Sequence, residues 1–318
     1  MSIRQWPRQV RQHFKHRPGV VAFILYLPSK FFLILMSLLP YSFLRPVASN
    51  LGLLALLFER RRRVGRAQLA CAFPEKTSDE RDKILRASCK SIAMSAVEAM
   101  ILTRRYHSKW QQHLLFADGA RERIESLRGK GAIFVQAHFG SFEFAGAALG
   151  PLGLEPAFPM RFPNNYYLGR DLIRARLDGW NVEVVSRKGA VRNLLNRLKA
   201  GKSVVIATDQ SAHHKPIFVP WFGKLAATER ATASLAIKTA APVVTLWAVR
   251  HPSKPIWTID CQVIRESCGS QDLNDENIYN LCSEIHASLE AQIKITPEQY
   301  LWIHDRYRIR PDSENNND

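Results

Sequence analysis

A histidine followed five positions later by a glutamate is the first feature of the sequence that suggests chemistry. His138 ends the apolar run AIFVQA (132–137), and Glu143 follows it in HFGSFE. A carboxylate on one imidazole nitrogen fixes the tautomer and leaves the other nitrogen free as a base. We therefore interpret the pair as a candidate base and its orienting partner. A structural histidine with satisfied hydrogen bonds is the alternative, and these residues alone do not exclude it.

The spacing by itself has little specificity, because His113 and Asp118 repeat it in HLLFADG. Context separates the two pairs. His113 lies in a polar stretch with no strand before it, whereas His138 follows a predicted strand. Gly140 and Ser141 then permit a tight turn into a helix that carries Glu143. The context favours His138 and Glu143.

Alternating strands and helices are expected to position this pair. Apolar runs predict strands over 132–137, 181–186, 203–208, 242–249 and 257–264. Helices are predicted over 77–102, with Ser78 as the cap, and over 231–240 and 277–295. A further helix is predicted to follow the strand at 181–186 and to end at about residue 200. This order predicts an α/β fold with a mixed, mostly parallel sheet covered by helices. Since chemistry collects at the carboxyl ends of such strands, we expect His138 and Asp209 to face one crevice.

Composition limits the class of protein. The chain has 318 residues, is 46% hydrophobic and 23% charged, and carries a formal net charge of +17. These values indicate a globular chain with anionic partners. Its five cysteines contain no CxxC pair, so we interpret them as reduced, mostly buried thiols. No zinc-ligand spacing is present in the sequence, and we expect no metal site.

The N-terminal region has the pattern of a membrane anchor. A basic stretch (1–17) precedes an apolar run (19–44) whose only charge is Lys30, and a second apolar run (47–58) leads to Arg60–Arg63. The first run is long enough to cross a bilayer, although a buried core helix is the alternative. Prolines at 28, 40 and 46 leave both a single span and a hairpin or interfacial anchor open. We predict an anchoring segment over 1–66, an α/β domain over 67–311 and a disordered polar tail over 312–318.

Several ordered segments together resemble the HX4D/E acyltransferases. Within them, the chain is most similar to the late acyltransferases of lipid A biosynthesis, the lauroyl and myristoyl transferase family. The segments are HFGSFE with its flanks, RRRVGRAQLACAFPEKTSDER (61–81), MRFPNNYYLGRDLIRARL (160–177), residues 204–244, and QYLWIHDRYRIRP (299–311). The chain departs from the family at TERATASLA, where Glu229 and Arg230 stand in place of the glycine that many members have before the small-residue helix.

The resemblance implies a reaction and a set of roles. The family moves a fatty acyl group from an acyl carrier protein thioester to a hydroxyl of a hydroxyacyl chain on a lipid A precursor, on a fold like that of the glycerolipid acyltransferases. His138 would be the base and Glu143 its orienting partner. Arg161 would bind a lipid A phosphate or polarise the thioester carbonyl, and a surface arginine is the alternative. Asp209 would position Arg161 or the acceptor, and a cap at the end of its strand is the alternative. Asn164 and Gln210 complete the substrate-binding residues that the resemblance implies.

The same resemblance implies partners and a location. No cofactor is expected, because the acyl thioester is a co-substrate. The expected partners are the lipid A precursor, the acidic carrier protein and the anionic surface of the bacterial inner membrane, with the catalytic domain facing the cytoplasm. A second basic cluster, Arg187, Lys188 and Arg192, is either a sugar-phosphate site or a solvated face. We expect no nucleic acid, since no recognisable module for it is present.

Three other functions are compatible with the sequence. One is a lysophospholipid or other glycolipid acyltransferase of the same superfamily. Another is a non-catalytic basic protein that binds membranes or nucleic acid. The third is a serine hydrolase using Ser141, although the chain lacks a GxSxG elbow.

Overall fold

The computed structural model describes residues 17–177, 180–187, 189–269 and 272–311. Its N-terminal part is helical: α1 (Val20–Leu38), α2 (Tyr41–Gly52), a 3-10 turn (Leu53–Leu57), α3 (Glu59–Ala72) and α4 (Ser78–Val97). A π-helical turn (Glu98–Leu102) continues α4 and leads to the short helices α5 (Thr103–Tyr106) and α6 (Trp110–His113).

Strands and helices then alternate along the chain. The strands are β1 (Leu114–Phe116), β2 (Ile133–Gln136), β3 (Ala157–Met160), β4 (Glu183–Ser186), β5 (Val204–Ala207), β6 (Ile217–Trp221), β7 (Lys224–Thr228), β8 (Val243–Arg250) and β9 (Trp257–Arg265). The helices between and after them are α7 (Ala120–Glu125), α8 (Phe142–Ala147), α9 (Tyr166–Leu177), α10 (Ala190–Lys199), α11 (Ala231–Thr239) and α12 (Asp275–Ile295).

The described strands form one main sheet in the order β1-β9-β8-β2-β5-β3-β4, and β6 and β7 form a separate hairpin. The five strands from β8 to β4 are parallel, β9 is antiparallel to β8, and β1 is parallel to β9. On β2, Ile133 and Val135 enter one hydrophobic core and Phe134 enters the other. A strand buried on both faces reads as a continuous apolar run. The predicted α/β class with a mixed, mostly parallel sheet is confirmed.

The beginning of α4 differs from the sequence prediction. Thr77 caps the helix rather than Ser78, because Thr77 keeps an extended backbone and its hydroxyl accepts from the backbone N–H of Glu80. The Glu80 carboxylate accepts in return from the Thr77 N–H at 2.7 Å, which completes a capping box. The predicted span to residue 102 is α-helical only to Val97, since the following turn is a π-helix.

Helix α1 is long and apolar enough to cross a membrane, and most of it is not buried by the protein. Its exposed large side chains include Val20, Ile24, Phe31 and Leu38. A buried core helix would not present such residues to solvent, so α1 is a candidate membrane anchor. The next helical segment, Tyr41–Leu57, meets α3 at 97°. The choice between a single span and a hairpin or interfacial anchor stays a prediction.

The predicted domain division also stays a prediction. Helix α3 continues through residue 66, the expected end of the anchor, and the side chain of Gln68 on that helix donates to the carbonyls of Trp302 and His304. The polar tail, at 312–318, and most of the basic N-terminal stretch lie outside the described residues.

The cysteines agree with the sequence interpretation. Cys71 is half-buried, the other four are buried, and all five are free.

Candidate active site

His138 lies just beyond the carboxyl end of β2, and Asp209 lies just beyond the carboxyl end of β5. These strands are parallel neighbours, with Ile133 opposite Val204. The Nδ1 atom of His138 lies 2.8 Å from Asp209 Oδ1, and the backbone N–H of His138 donates to Asp209 Oδ2 at 2.8 Å. A carboxylate accepts only, so the ring proton is on Nδ1. The expected meeting of His138 and Asp209 at one edge of the sheet is confirmed.

The surroundings of this pair favour its charged form. The side chain of Asp209 is 2% exposed and that of His138 is 22% exposed. Burial opposes protonation of His138, but the charge and hydrogen bond of Asp209, with the charge of Glu143, raise its pKa above the usual value. Burial would raise the pKa of Asp209, but the charge and hydrogen bonds of His138, with the charge of Arg306, lower it. Asp209 is therefore a carboxylate at neutral pH.

The second ring nitrogen of His138 is in position to act as a base. With the proton held on Nδ1, the lone pair is on Nε2. The Nε2 atom of Gln210 lies 3.4 Å from it. The half-buried His138 thus combines an oriented ring with a basic nitrogen beside a polar amide.

Glu143 lies in the first turn of α8 and is 7% exposed. From the sequence we expect Glu143 to make the orienting contact on His138. In the structure the carboxylate hydrogen-bonded to Nδ1 is that of Asp209, and the charge of Glu143 raises the pKa of the ring. The oxygens of Asp209, expected to hold Arg161 or the acceptor, contact His138 itself. The catalytic role of Glu143 stays a prediction.

In the alternative pair, His113 and Asp118, the histidine makes different contacts. His113 Nδ1 lies 2.7 Å from the backbone carbonyl oxygen of Pro255. The His113 ring also packs on Tyr106 at 3.9 Å between ring centroids. These contacts are those of a structural histidine.

The turn after His138 requires glycine at position 140. Gly140 has φ +55°, and a Cβ there would lie 2.1 Å from the backbone oxygen of Ala248. Its N–H donates to the Gln299 carbonyl at 2.9 Å, and the N–H of Ser141 donates to the Ala248 carbonyl at 2.7 Å. The end of β8 and the C-terminal segment therefore fix the geometry of this turn.

A buried ion pair that the sequence analysis did not anticipate supports the same turn. Glu98, in the π-helical turn, and Arg250, at the end of β8, have side chains that are 0% and 6% exposed. Arg250 Nε donates to Glu98 Oε1 at 2.5 Å, and its Nη2 donates to the Gly140 carbonyl at 3.1 Å. Ser141 Oγ donates to Glu98 Oε2 at 2.7 Å. The hydroxyl of Ser141 is thus engaged away from His138, which argues against a serine nucleophile.

The segment after α12 holds the other side of the site. The N–H of Leu301 donates to the His138 carbonyl at 3.1 Å. Arg306 is fully buried, and its Nη1 donates to the carbonyl of Gln210 at 3.0 Å and to that of Ala227 at 2.5 Å. QYLWIHDRYRIRP, which carried part of the family resemblance, therefore supports the loop that holds Asp209 and Gln210.

Arg161 directly follows β3 and so lies at the same edge of the sheet as His138. Arg161 and Asn164 are both exposed. Among the described residues, neither is hydrogen-bonded to His138 or Asp209. The neighbouring Asn165 is structural, because its Oδ1 accepts from Tyr167 N–H at 3.0 Å and its Nδ2 donates to the Ala22 carbonyl at 2.7 Å. Substrate contacts of Arg161 and Asn164 stay predictions.

The residues at which the chain departs from the family pattern are in surface ion pairs. Glu229 pairs with Arg187, and Arg230 Nη1 donates to Asp275 Oδ2 at 3.2 Å. Lys188 of the same basic cluster lies outside the described residues.

Comparison with known proteins finds relatives that match most of the chain. A family model described as bacterial lipid A biosynthesis acyltransferase matches residues 10–309. The chain is 26% identical over 276 residues to the lipid A biosynthesis palmitoleoyltransferase of Escherichia coli K12, covering 86% of this chain and 87% of that protein. It is 28% identical over 284 residues to the lipid A biosynthesis lauroyltransferase of the same organism, covering 86% and 88%. A lipid A biosynthesis acyltransferase of Haemophilus influenzae is 24% identical over 284 residues, covering 86% and 87%.

Proposed function

We propose that this chain, which belongs to the bacterial lipid A biosynthesis acyltransferase family, transfers a fatty acyl group. The donor is an acyl carrier protein thioester, and the acceptor is a hydroxyl of a hydroxyacyl chain on a lipid A precursor. That the chain is an acyltransferase follows from the family and its relatives. The donor and the acceptor position are our proposal. The observation that carries it is the 2.8 Å contact between His138 Nδ1 and Asp209 Oδ1, which leaves Nε2 as a base in the crevice.

The proposed step is direct transfer. His138 Nε2 takes the proton of the acceptor hydroxyl as its oxygen attacks the thioester carbonyl, and collapse of the tetrahedral intermediate breaks the carbon–sulfur bond. The imidazolium returns its proton to the leaving thiolate. General base catalysis of this kind contributes roughly 10²–10⁴-fold. The thioester is already activated, so the step needs no covalent enzyme intermediate.

The other site residues have supporting roles in this proposal. Asp209 fixes the tautomer and stabilises the imidazolium, and the charge of Glu143 adds to that stabilisation. Arg161, at the end of β3, binds a phosphate of the acceptor or stabilises the developing oxyanion. Asn164 and Gln210 bind substrate, and Gln210 is supported by its 3.4 Å contact with His138. The acyl thioester is the co-substrate, and the proposal includes no separate cofactor.

The charge and the apolar surface support the proposed partners and location. A formal charge of +17 suits an acidic carrier protein and phosphorylated lipids. Helix α1 and the exposed apolar side chains of α2 support attachment to the inner membrane, with the catalytic domain on the cytoplasmic side. A lysophospholipid or other glycolipid acceptor is the alternative within the same chemistry.

A substrate matrix tests the proposal. Detergent-purified protein is given acyl carrier protein charged with a mixed pool of fatty acids, or the same acids on coenzyme A. The acceptor is an under-acylated lipid A precursor or a lysophospholipid, and product mass is read by mass spectrometry. We expect one added acyl chain on the lipid A precursor with the carrier protein donor. Acylation of the lysophospholipid alone would overturn the proposed acceptor, and faster transfer from coenzyme A would overturn the proposed donor.

A further inference from the structure

A cavity of about 500 Å³ lies between α2, α4 and the end of β8. Arg250 and Gln299, which hold the turn after His138, form part of its wall, whereas His138 and Asp209 do not line it. The cavity is therefore distinct from the catalytic crevice, although both lie at the same edge of the sheet.

The cavity has an excess of positive charge. Arg45 of α2 is half-buried and Lys90 of α4 is exposed, and both line it. Among the described residues, neither side chain forms an ion pair or a hydrogen bond. The charge of Arg250 is already balanced by Glu98, and Glu298 is the one acid among the described residues of the wall. Two cations that have no hydrogen-bonding or ion-pair partner in the described part of the chain, one of them half-buried, suit an anionic ligand.

A histidine adds a neutral donor with a fixed tautomer. His251 lines the cavity, and its Nδ1 accepts from the N–H groups of Ser253 at 3.1 Å and Lys254 at 3.0 Å. The ring proton must therefore be on Nε2, which is a donor even when the ring is uncharged. Ser49, whose side chain carries a hydroxyl, also lines the cavity. Charged and neutral donors together are the set that binds a phosphate.

The same helix that forms this wall also carries exposed apolar side chains. Phe43, Val47 and Leu51 of α2 are 65%, 42% and 44% exposed. Pro46 and Asn50, each directly before one of them, belong to the cavity wall. A ligand with a phosphate in the cavity therefore has an apolar surface beside it for hydrocarbon chains.

We propose that this cavity binds the phosphate group of a membrane lipid, held by Arg45, Lys90 and His251. The lipid chains lie along the exposed residues of α2. Two sources share this chemistry, a bulk phospholipid and the acceptor lipid itself. The site does not depend on the proposed transfer reaction, so its test uses binding rather than turnover.

The experiment measures lipid binding by native mass spectrometry on the full chain in detergent, with His138→Ala as the background so that no turnover occurs. The probes are short-chain phosphatidic acid, the matching diacylglycerol without phosphate, and inorganic phosphate. The cavity variant is Arg45→Gln with Lys90→Gln. The matched control is Lys83→Gln with Arg86→Gln, which removes the same charge from exposed positions of α4 outside the cavity. Glu298→Gln removes the negative charge that Glu298 places in the wall.

We expect phosphatidic acid to bind saturably and diacylglycerol not to bind. The cavity variant should weaken binding about tenfold or more, since charge-assisted hydrogen bonds are lost, and the control should not. Glu298→Gln should tighten binding, a change that a misfolded variant could not produce. Equal weakening in the cavity variant and the control, or no tightening with Glu298→Gln, would overturn the site. Displacement of the lipid by inorganic phosphate at the same concentration would overturn the lipid assignment.

Competition by the under-acylated lipid A precursor identifies the source. Displacement of phosphatidic acid by the precursor would assign the cavity to the acceptor, and simultaneous binding of both would assign it to a bulk phospholipid. Either result supports a lipid phosphate site.

Discussion

The contact between His138 and Asp209 determines which nitrogen can act as a base. Asp209 Oδ1 lies 2.8 Å from Nδ1 of His138 and holds the ring proton there, so the base is Nε2. The other oxygen of the same carboxylate accepts from the backbone N–H of His138 and fixes the backbone at that position. Raising the pKa of the ring makes it a stronger proton acceptor once it is neutral. It also means that a larger fraction of the ring is protonated, and inactive as a base, at a given pH.

The raised pKa of His138 predicts how activity depends on pH. The protonated ring cannot accept a proton, so kcat/KM should rise with pH through the raised pKa of His138, which lies above the usual value of about 6.5. In Asp209→Asn the charge that raises this pKa is lost, so the acid limb should move to lower pH while the plateau falls. The measurement is kcat/KM against pH for both proteins.

Asp118→Asn is the matched control, because Asp118 has the same spacing from His113 as Glu143 has from His138, while His113 Nδ1 contacts the Pro255 carbonyl instead of a carboxylate. An acid limb that does not move in Asp209→Asn would show that His138 is not the group that titrates.

Ser141 separates a transferase from a hydrolase. Its hydroxyl is buried and donates to Glu98 at 2.7 Å. We expect Ser141→Ala to lose about 1.5 kcal/mol of stability, as for a hydrogen bond to a charged group, and to keep acyl transfer within about tenfold of wild type, because the base is untouched. Activity and the midpoint of denaturant unfolding check this. A loss of about 10⁶-fold would instead indicate a serine nucleophile.

At the scale of elements, the site is held by contacts between segments far apart in sequence. The π-helical turn after α4 brings Glu98 under the turn after β2, where Arg250 from β8 meets it. Trp257 of β9 also donates to Glu98, at 2.8 Å. Three separate elements therefore share one buried carboxylate, and its loss should affect the whole carboxyl edge of the sheet.

Glu98→Gln tests that dependence. The substitution leaves the buried Arg250 without a counter-charge, and we expect a loss of about 3–5 kcal/mol in the free energy of unfolding, with acyl transfer reduced because the turn loosens. Denaturant unfolding and activity are the measurements. The control, Glu229→Gln, breaks the exposed pair with Arg187 and should change stability little. Equal effects of the two variants would contradict a supporting role for the buried pair.

Five of the described strands, β2, β4, β5, β8 and β9, lie where apolar runs predict them. Strands β2, β5 and β8 were predicted because burial on both faces makes each a continuous apolar run. Strand β1 has three residues and β3 contains Pro159, so neither gives a clear period. The carboxyl-edge rule placed Asp209 beside His138. That rule does not say whether Asp209 or Glu143 makes the hydrogen bond to His138 Nδ1. No local sequence pattern links Glu98 to Arg250, because the two residues are 152 positions apart.

At the scale of the whole molecule, apolar and basic surfaces lie together at the N-terminal side. Helix α1 and the turn before α3 expose large apolar side chains, including Leu57 and Phe58. The arginine cluster follows at once in α3. Arg62 pairs with Glu59, and Arg60 lies 3.5 Å from Asp305. Among the described residues, Arg61 and Arg63 have no ion pair and are the cations best placed for anionic headgroups.

Charge reversal at these two positions tests membrane binding. Arg61→Glu with Arg63→Glu should reduce sedimentation with vesicles that contain anionic lipid, since each cation near such a surface contributes about 1 kcal/mol. The effect should shrink at high salt. Lys199→Glu with Lys224→Glu makes the same charge change at exposed positions on other elements. Equal losses in both variants would indicate a response to net charge rather than a binding surface.

The most direct test of the account is the mass of an under-acylated lipid A precursor after incubation with the protein and charged acyl carrier protein, with His138→Ala alongside. We predict a gain of one acyl chain with wild-type protein and no gain with the variant. A gain of the same size and rate with His138→Ala would contradict the assignment of His138 as the catalytic base.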